Sequence, residues 1–197
     1  MHQTCEREVT HARLILIKHS LPEMVPGLPA NRWHLSEAGR LRCKALAERI
    51  APYDPDVFVA SAEPKAAETA ELVAGALQKP WHVAAGLHEH ERSGVGWIDR
   101  EHFEAQVAEF FRRPGVLVFG SETADQAHAR FAAAISAVTA RHPAHSLAVV
   151  AHGTVISLFV ARSAGVEPFP LWSRLGLPSF VVLSLPELDL ASVVERI

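Results

Sequence analysis

Two histidines of this 197-residue chain stand in the same local setting. Leu14-Ile15-Leu16-Ile17 runs into Lys18-His19-Ser20, and Leu147-Ala148-Val149-Val150-Ala151 runs into His152-Gly153. An unbroken apolar run of that length suits a central strand buried on both faces, so each imidazole falls at a polar strand end. A single histidine there reads as an ordinary hydrogen-bonded residue. Two that converge on one sheet edge make a place where chemistry can occur. Gly153 adds room for the amides of a following helix to approach an anion, although a strand-to-helix turn that needs glycine reads the same way.

The elements that must position this pair follow from periodicity. Ser36 can cap a helix in which Cys43, Leu46, Ala47 and Ile50 share a face, and Pro52 lies beyond its end. Val57-Phe58-Val59 gives a second strand, then Ser61 as a candidate cap, Pro64 in the first turn, and Ala66, Ala70, Val73 and Leu77 on one helical face. Phe103, Val107, Phe110 and Phe111 mark a third helix, ended by Pro114-Gly115. Thr123 and Gln126 form a capping box for a fourth, with Phe131, Ala134, Ile135 and Val138 facing inward. A helix from about Thr154 to Ala164 follows the second histidine strand, and Phe180 to Leu185 and Ala191 to Val194 are two closing strands. Strands alternating with helices predict an α/β fold, a three-layer α/β/α sandwich with a largely parallel central sheet. Ligands of such sheets bind beyond the carboxyl ends of the strands, where His19 and His152 stand.

Composition sets the bounds. With 49% hydrophobic and 21% charged residues, 13 Pro and 11 Gly, the chain has the balance of a globular protein, expected to form a single domain over residues 1–197 without repeat or linker. The 19 basic and 22 acidic side chains leave a formal charge of −3, which gives no overall reason to bind nucleic acid or an anionic membrane. Only Cys5 and Cys43 are available for a disulfide, and Met1 to Arg13 lacks the basic and apolar regions of a secretory signal. No apolar run is long enough to span a bilayer. A cytoplasmic location is expected. No nucleic-acid or membrane partner is expected, and a homo-oligomer is left open.

Five segments in order, Leu16-Ile17-Lys18-His19-Ser20, Ser61 to Ala70, Leu87-His88-Glu89, Gly120 to Arg130 and Val150-Ala151-His152-Gly153, resemble the histidine phosphatase, or phosphoglycerate-mutase-like, superfamily over roughly Arg13 to Leu185. The resemblance implies that His19 is the residue that attacks phosphorus and that His152 binds the phosphoryl oxygens beside it. It implies that Glu89, with Glu91 as the fallback, protonates the leaving oxygen and then activates water. The chemistry is coherent: a neutral imidazole attacks a phosphate ester, and nearby cations stabilise the transferring group while holding the imidazole unprotonated. By position Lys18 and Lys65 supply those cations.

Both family arginines are replaced by these lysines, which retains charge and loses the planar fork that grips two oxygens. Ser20 replaces the glycine after the nucleophile; it adds a Cβ and could offer a hydroxyl hydrogen bond. Arg92 and Arg32 are candidates to restore a guanidinium. Phosphate binding is therefore assigned to Lys18, Lys65, Ser20, Gly153 and Arg92.

Other chemistries fit less well. His88-Glu89-His90-Glu91 contains zinc-ligand types but lacks the helical His-Glu-x-x-His spacing, and neither metal nor cofactor is expected. Gly94-Val95-Gly96 lacks the rest of a dinucleotide fingerprint, and there is no Walker sequence or Gly-x-Ser-x-Gly elbow. Trp33, Trp81, Trp97 and Trp172 read as packing residues, with Trp33 and Trp97 in segments that could wall the pocket. The resemblance implies a phosphoric monoester hydrolase, a metal-independent phosphatase that acts on a small phosphorylated substrate through phosphohistidine, with hydrolysis preferred to mutase activity. The alternatives are a phosphate-binding or regulatory protein whose catalysis was weakened or lost with the arginines, and a metal-binding protein using the His-Glu run.

Overall fold

The computed structural model describes residues 12–92 and 98–197. The segment up to residue 11, with Cys5, and residues 93–97, with Gly94, Gly96 and Trp97, lie outside the described residues.

The elements run in the order β1 (Arg13–Lys18), α1 (Glu37–Ile50), β2 (Val57–Ala60), α2 (Pro64–Ala76), β3 (Trp81–Val83), α3 (Arg100–Arg112), α4 (Ala124–Arg141), β4 (Leu147–Ala151), α5 (Gly153–Ala164), α6 (Pro168–Arg174), β5 (Ser179–Ser184) and β6 (Leu190–Val194). Short 3-10 turns at Ala30–Arg32 and Ala51–Tyr53 precede and follow α1. Ser36 caps α1 by accepting from the Gly39 N–H. Thr123 and Gln126 close the expected capping box on α4. The cap position of α2 is Glu63 and not Ser61, a shift with consequences at the site.

One six-stranded sheet has the order β3-β2-β4-β1-β5-β6. β3, β2, β4 and β1 are parallel neighbours, whereas β5 runs antiparallel to β1 and β6 antiparallel to β5. The sheet is thus mostly parallel, covered on both faces by helices. Alternate residues of the central strands feed two cores: Leu14, Leu16, Val149 and Val181 pack with α4 and α5 on one face, and Ile15, Ile17, Val150 and Phe180 pack with α1 and α2 on the other. Burial of β1 and β4 on both faces explains why they read as unbroken apolar runs.

This topology creates the crevice. β1 leads to α1 on one face, and its neighbour β4 leads to α5 on the opposite face, so their carboxyl ends form a switch point where the chain diverges. In the register, Lys18 lies opposite Ala151, and the His19 N–H donates to the Ala151 carbonyl at 3.1 Å. His19 and His152 therefore leave the sheet side by side.

Candidate active site

The His19 ring is buried, and its Nδ1 lies 2.7 Å from the Ser20 carbonyl oxygen. A carbonyl only accepts, so Nδ1 carries the proton and Nε2 keeps its lone pair. Burial, then His152, Lys65 and Lys18, hold the His19 pKa well below that of an ordinary histidine, against the opposing pull of the Ser20 carbonyl. The imidazole is neutral with a free ring nitrogen. Its strand end is fixed from below: the Ser20 N–H donates to Thr69 Oγ1 at 3.0 Å, and Thr69 Oγ1 donates to the Lys65 carbonyl at 2.7 Å. The Ser20 hydroxyl donates to the Gly39 carbonyl at 2.7 Å, so its proton is committed to holding α1 in the described structure. Gly39 lets the Leu21 backbone lie against the start of α1, since a Cβ there would be 2.0 Å from the Leu21 carbonyl oxygen.

The His152 ring centroid lies 5.2 Å from that of His19. His152 is likewise neutral: burial is the main cause of a pKa lowered to about 3. Its Nε2 is 2.9 Å from Ser61 Oγ and 3.4 Å from Glu63 Oε1, while Nδ1 is buried without a partner. Ser61, expected as a helix cap, instead accepts from the Glu63 N–H and positions this ring. Glu63 is the residue the sequence reading assigned no role. Its carboxylate pairs with the Lys65 ammonium, both side chains almost wholly buried, and its Oε1 also accepts the Glu89 N–H at 2.9 Å. Lys65 Nζ further donates to the Ala30 carbonyl at 2.7 Å.

Glu89 faces the start of α5. Its carboxylate accepts from the amides of His90 at 2.9 Å, Thr154 at 3.2 Å and Val155 at 3.3 Å, with Arg92 3.6 Å away. Burial pushes its pKa up, but Arg92, His152 and the amides outweigh this and hold it at about 2. The helix N-terminus that Gly153 was expected to open to an anion thus already holds a carboxylate. Gly153 makes room instead for Lys18, since a Cβ there would lie 3.1 Å from Lys18 Cε and 3.2 Å from Nζ. Lys18 Nζ donates to the Leu175 carbonyl at 2.6 Å, and burial lowers its pKa to about 8 despite the nearby Glu89. Arg92 donates to Thr154 Oγ1 at 2.9 Å and lies over the Phe103 ring at 4.8 Å.

His19, His152, Lys18, Lys65, Glu89, Gly153 and Arg92 are thus brought to one crevice. Glu91 is not: its side chain is about half exposed, near His88. Arg32 is exposed on its 3-10 turn. Trp33 borders the crevice through its carbonyl, which accepts the Lys65 N–H at 3.1 Å. Trp172 packs against Phe169 and Phe103, and Trp81 is partly exposed on the edge strand β3. His90, in the segment weighed for metal, packs against Phe110 and Phe119. Among the described residues no group of three or more His, Cys, Asp or Glu is arranged to hold a metal ion, and no helix is long and apolar enough to cross a membrane.

The loop carrying Glu89 is held by Arg130, which donates to the carbonyls of Gly86, His88 and Glu89 and pairs with Glu122 at 2.6 Å. Arg130 ends the segment Gly120 to Arg130, and nothing local in that sequence signals this task, because its carbonyl partners are set by the fold. A partly buried guanidinium is a natural clamp here because its five donors can meet several carbonyls at once.

A family model of the histidine phosphatase superfamily (branch 1) matches residues 30–187. No curated protein sequence matches the chain. Solved structures with the same fold include a mycobacterial glucosyl-3-phosphoglycerate phosphatase at 18% identity and a TM-score of 0.75, the likeness covering 94% of this chain and 99% of that one. A phosphoserine phosphatase mutant of Entamoeba histolytica, solved with phosphoserine, is 17% identical with a TM-score of 0.75, covering 93% and 96%. The YhfR protein of Bacillus stearothermophilus is 20% identical with a TM-score of 0.74, also covering 93% and 96%.

Proposed function

This chain belongs to the histidine phosphatase superfamily (branch 1), and on that premise we propose that it is a metal-independent phosphatase that hydrolyses a small phosphate monoester through a phosphohistidine on His19. The observation that carries the proposal is the His19 tautomer. Nδ1–H is tied to the Ser20 carbonyl, leaving Nε2 unprotonated beside two lysines and a second histidine.

In the first step the Nε2 lone pair forms a bond to phosphorus as the ester P–O bond breaks, and the departing oxygen takes a proton. In the second, water attacks the phosphohistidine, the N–P bond breaks and the proton from water is taken up by a base. Lys18, Lys65, Arg92 and the His152 ring stabilise the equatorial oxygens. Glu89 serves the proton in both steps. It is ionised in the resting site, and a bound phosphate dianion raises its pKa because a second negative charge disfavours the carboxylate. Solved phosphatases of this fold support the general class of reaction, including those for glucosyl-3-phosphoglycerate and phosphoserine.

A second reading keeps phosphate binding and drops turnover. It is favoured by the lysines themselves, since Lys65 is neutralised by Glu63 and Lys18 is turned toward the Leu175 carbonyl. A screen of phosphate esters separates the two. Phosphate release by the wild type that persists with a chelator and disappears in His19→Ala supports the enzyme. Binding of inorganic phosphate without release from any ester supports the second reading.

A further inference from the structure

The anion site already contains an anion that its chemistry does not call for. Three cations, Lys18, Lys65 and Arg92, share the crevice with two carboxylates, Glu63 and Glu89, and Glu63 stands on the most buried of the cations. It sits two residues before Lys65 at the cap of α2, where the turn into the helix brings its carboxylate back onto the lysine side chain. Its Oε2 meets the Lys65 ammonium, its Oε1 accepts the Glu89 amide, and Oε1 lies 3.4 Å from His152 Nε2. An ammonium, a backbone N–H and an imidazole nitrogen gathered around two oxygens are the partners a phosphoryl group needs.

We propose that Glu63 is a specificity-determining internal anion, which holds Lys65, faces His152 and competes with the incoming phosphoryl group for them. Phosphate binding then exchanges a carboxylate oxygen for a phosphoryl oxygen on Lys65. An arginine could hold both anions through separate edges of its fork, whereas one ammonium already bonded to the Ala30 carbonyl and to Glu63 has a single donor left. The lysine at this position and the neighbouring glutamate therefore act as a unit that weakens the site for highly charged phosphates. Like charge around the phosphoryl group is the discriminating element, and it selects for ligands that carry less negative charge there.

The inference rests on the phosphate-site reading, and one titration series tests both. Binding of inorganic phosphate and of vanadate is measured by calorimetry on the intact chain for wild type, Glu63→Gln, Lys65→Ala and the double variant, with thermal melting as a folding control. Glu63→Gln keeps an acceptor for the Glu89 amide and removes the charge. It should bind both anions more tightly, by roughly ten- to hundredfold, the worth of one charge-assisted hydrogen bond. In the Lys65→Ala background the same replacement should gain much less. Equal or weaker binding by Glu63→Gln, or a gain undiminished without Lys65, overturns the inference while leaving the phosphate site standing. Absence of binding by wild type and Glu63→Gln alike overturns both. If Glu63→Gln does not melt cooperatively, Glu63→Ala is titrated in its place, and failure of both to fold makes Glu63 a structural residue and overturns the inference.

Discussion

Lys18 lies directly over Gly153, its ammonium 3.2 Å from where a Cβ would stand. The two residues belong to the ends of neighbouring parallel strands, so the glycine that opens α5 is the space into which the lysine after β1 folds. Gly153 has no left-handed backbone, and alanine is the better helix former, so Gly153→Ala should leave the fold intact. What it should displace is the ammonium. We expect Gly153→Ala to melt within about 1 kcal/mol of wild type and to weaken vanadate binding several-fold, as read by thermal melting and a binding titration. Unchanged binding would mean that Lys18 does not reach the anion from this position.

Lys18 also gives the site a pH limit. With its pKa lowered from 10.5 to about 8, the ammonium is charged below that value and loses its charge as pH rises through it. Anion affinity should therefore fall on the alkaline side of about pH 8. A bound dianion moves this limb upward, because it favours the protonated form. Lys18→Arg should abolish the limb, since guanidinium stays charged throughout. Lys18→Ala should cost roughly 1.5 to 3 kcal/mol of vanadate binding at neutral pH. An alkaline limb that persists in Lys18→Arg would assign the titration to another group.

Glu89 has two duties that a single pair of variants separates. Glu89→Gln should lower turnover by about a hundredfold to ten-thousandfold, the usual contribution of a general acid or base. Glu91→Gln, on a half-exposed side chain, should be nearly silent. The folded-state pKa of about 2 lies below the ordinary 4.5, so the ionised Glu89 adds stability that is complete above about pH 4.5 and disappears as pH falls toward 2. The stability difference between wild type and Glu89→Gln should shrink over the same interval. Chemical denaturation at pH 7 and pH 3 measures it.

Much of this site was legible because apolar runs and strand ends are local signals. Leu14 to Ile17 and Leu147 to Ala151 announce buried strands, and the histidines after them are placed together by register alone. β3 is not legible: Trp81 and Val83 are exposed and His82 half-buried at the sheet edge, and three residues are too few to state a strand. The antiparallel direction of β5 is decided by α6, a seven-residue helix with two prolines that returns the chain to the sheet, and a strand sequence does not state its direction. Glu63 is hard to read from sequence because surface glutamates are common and its partner is set by the fold. The available signal was a carboxylate two residues before a candidate phosphate cation, with Pro64 starting a helix between them.

Arg130 should prove necessary to the loop that carries Glu89. It bonds three carbonyls of that loop and neutralises the mostly buried Glu122, which itself accepts the Glu91 N–H at 2.9 Å. Arg130→Met leaves Glu122 without its cation, a loss of about 3 kcal/mol or more for a buried pair. Glu122→Gln added to Arg130→Met should recover part of the stability, since the unpaired charge is then gone. Denaturant midpoints of the two variants check this, and a stable Arg130→Met would show that the loop is held by other contacts.

The most direct test is to look for phosphate on His19 itself. Wild-type protein quenched during incubation with a radiolabelled phosphate ester that it hydrolyses should carry protein-bound phosphate that is labile in acid and stable in base, located by mass spectrometry on the peptide containing His19. His19→Ala should fold normally, carry no such phosphate and show no turnover. Phosphate release undiminished in His19→Ala, or the same labile phosphate on that variant, would contradict the assignment of His19 as the nucleophile.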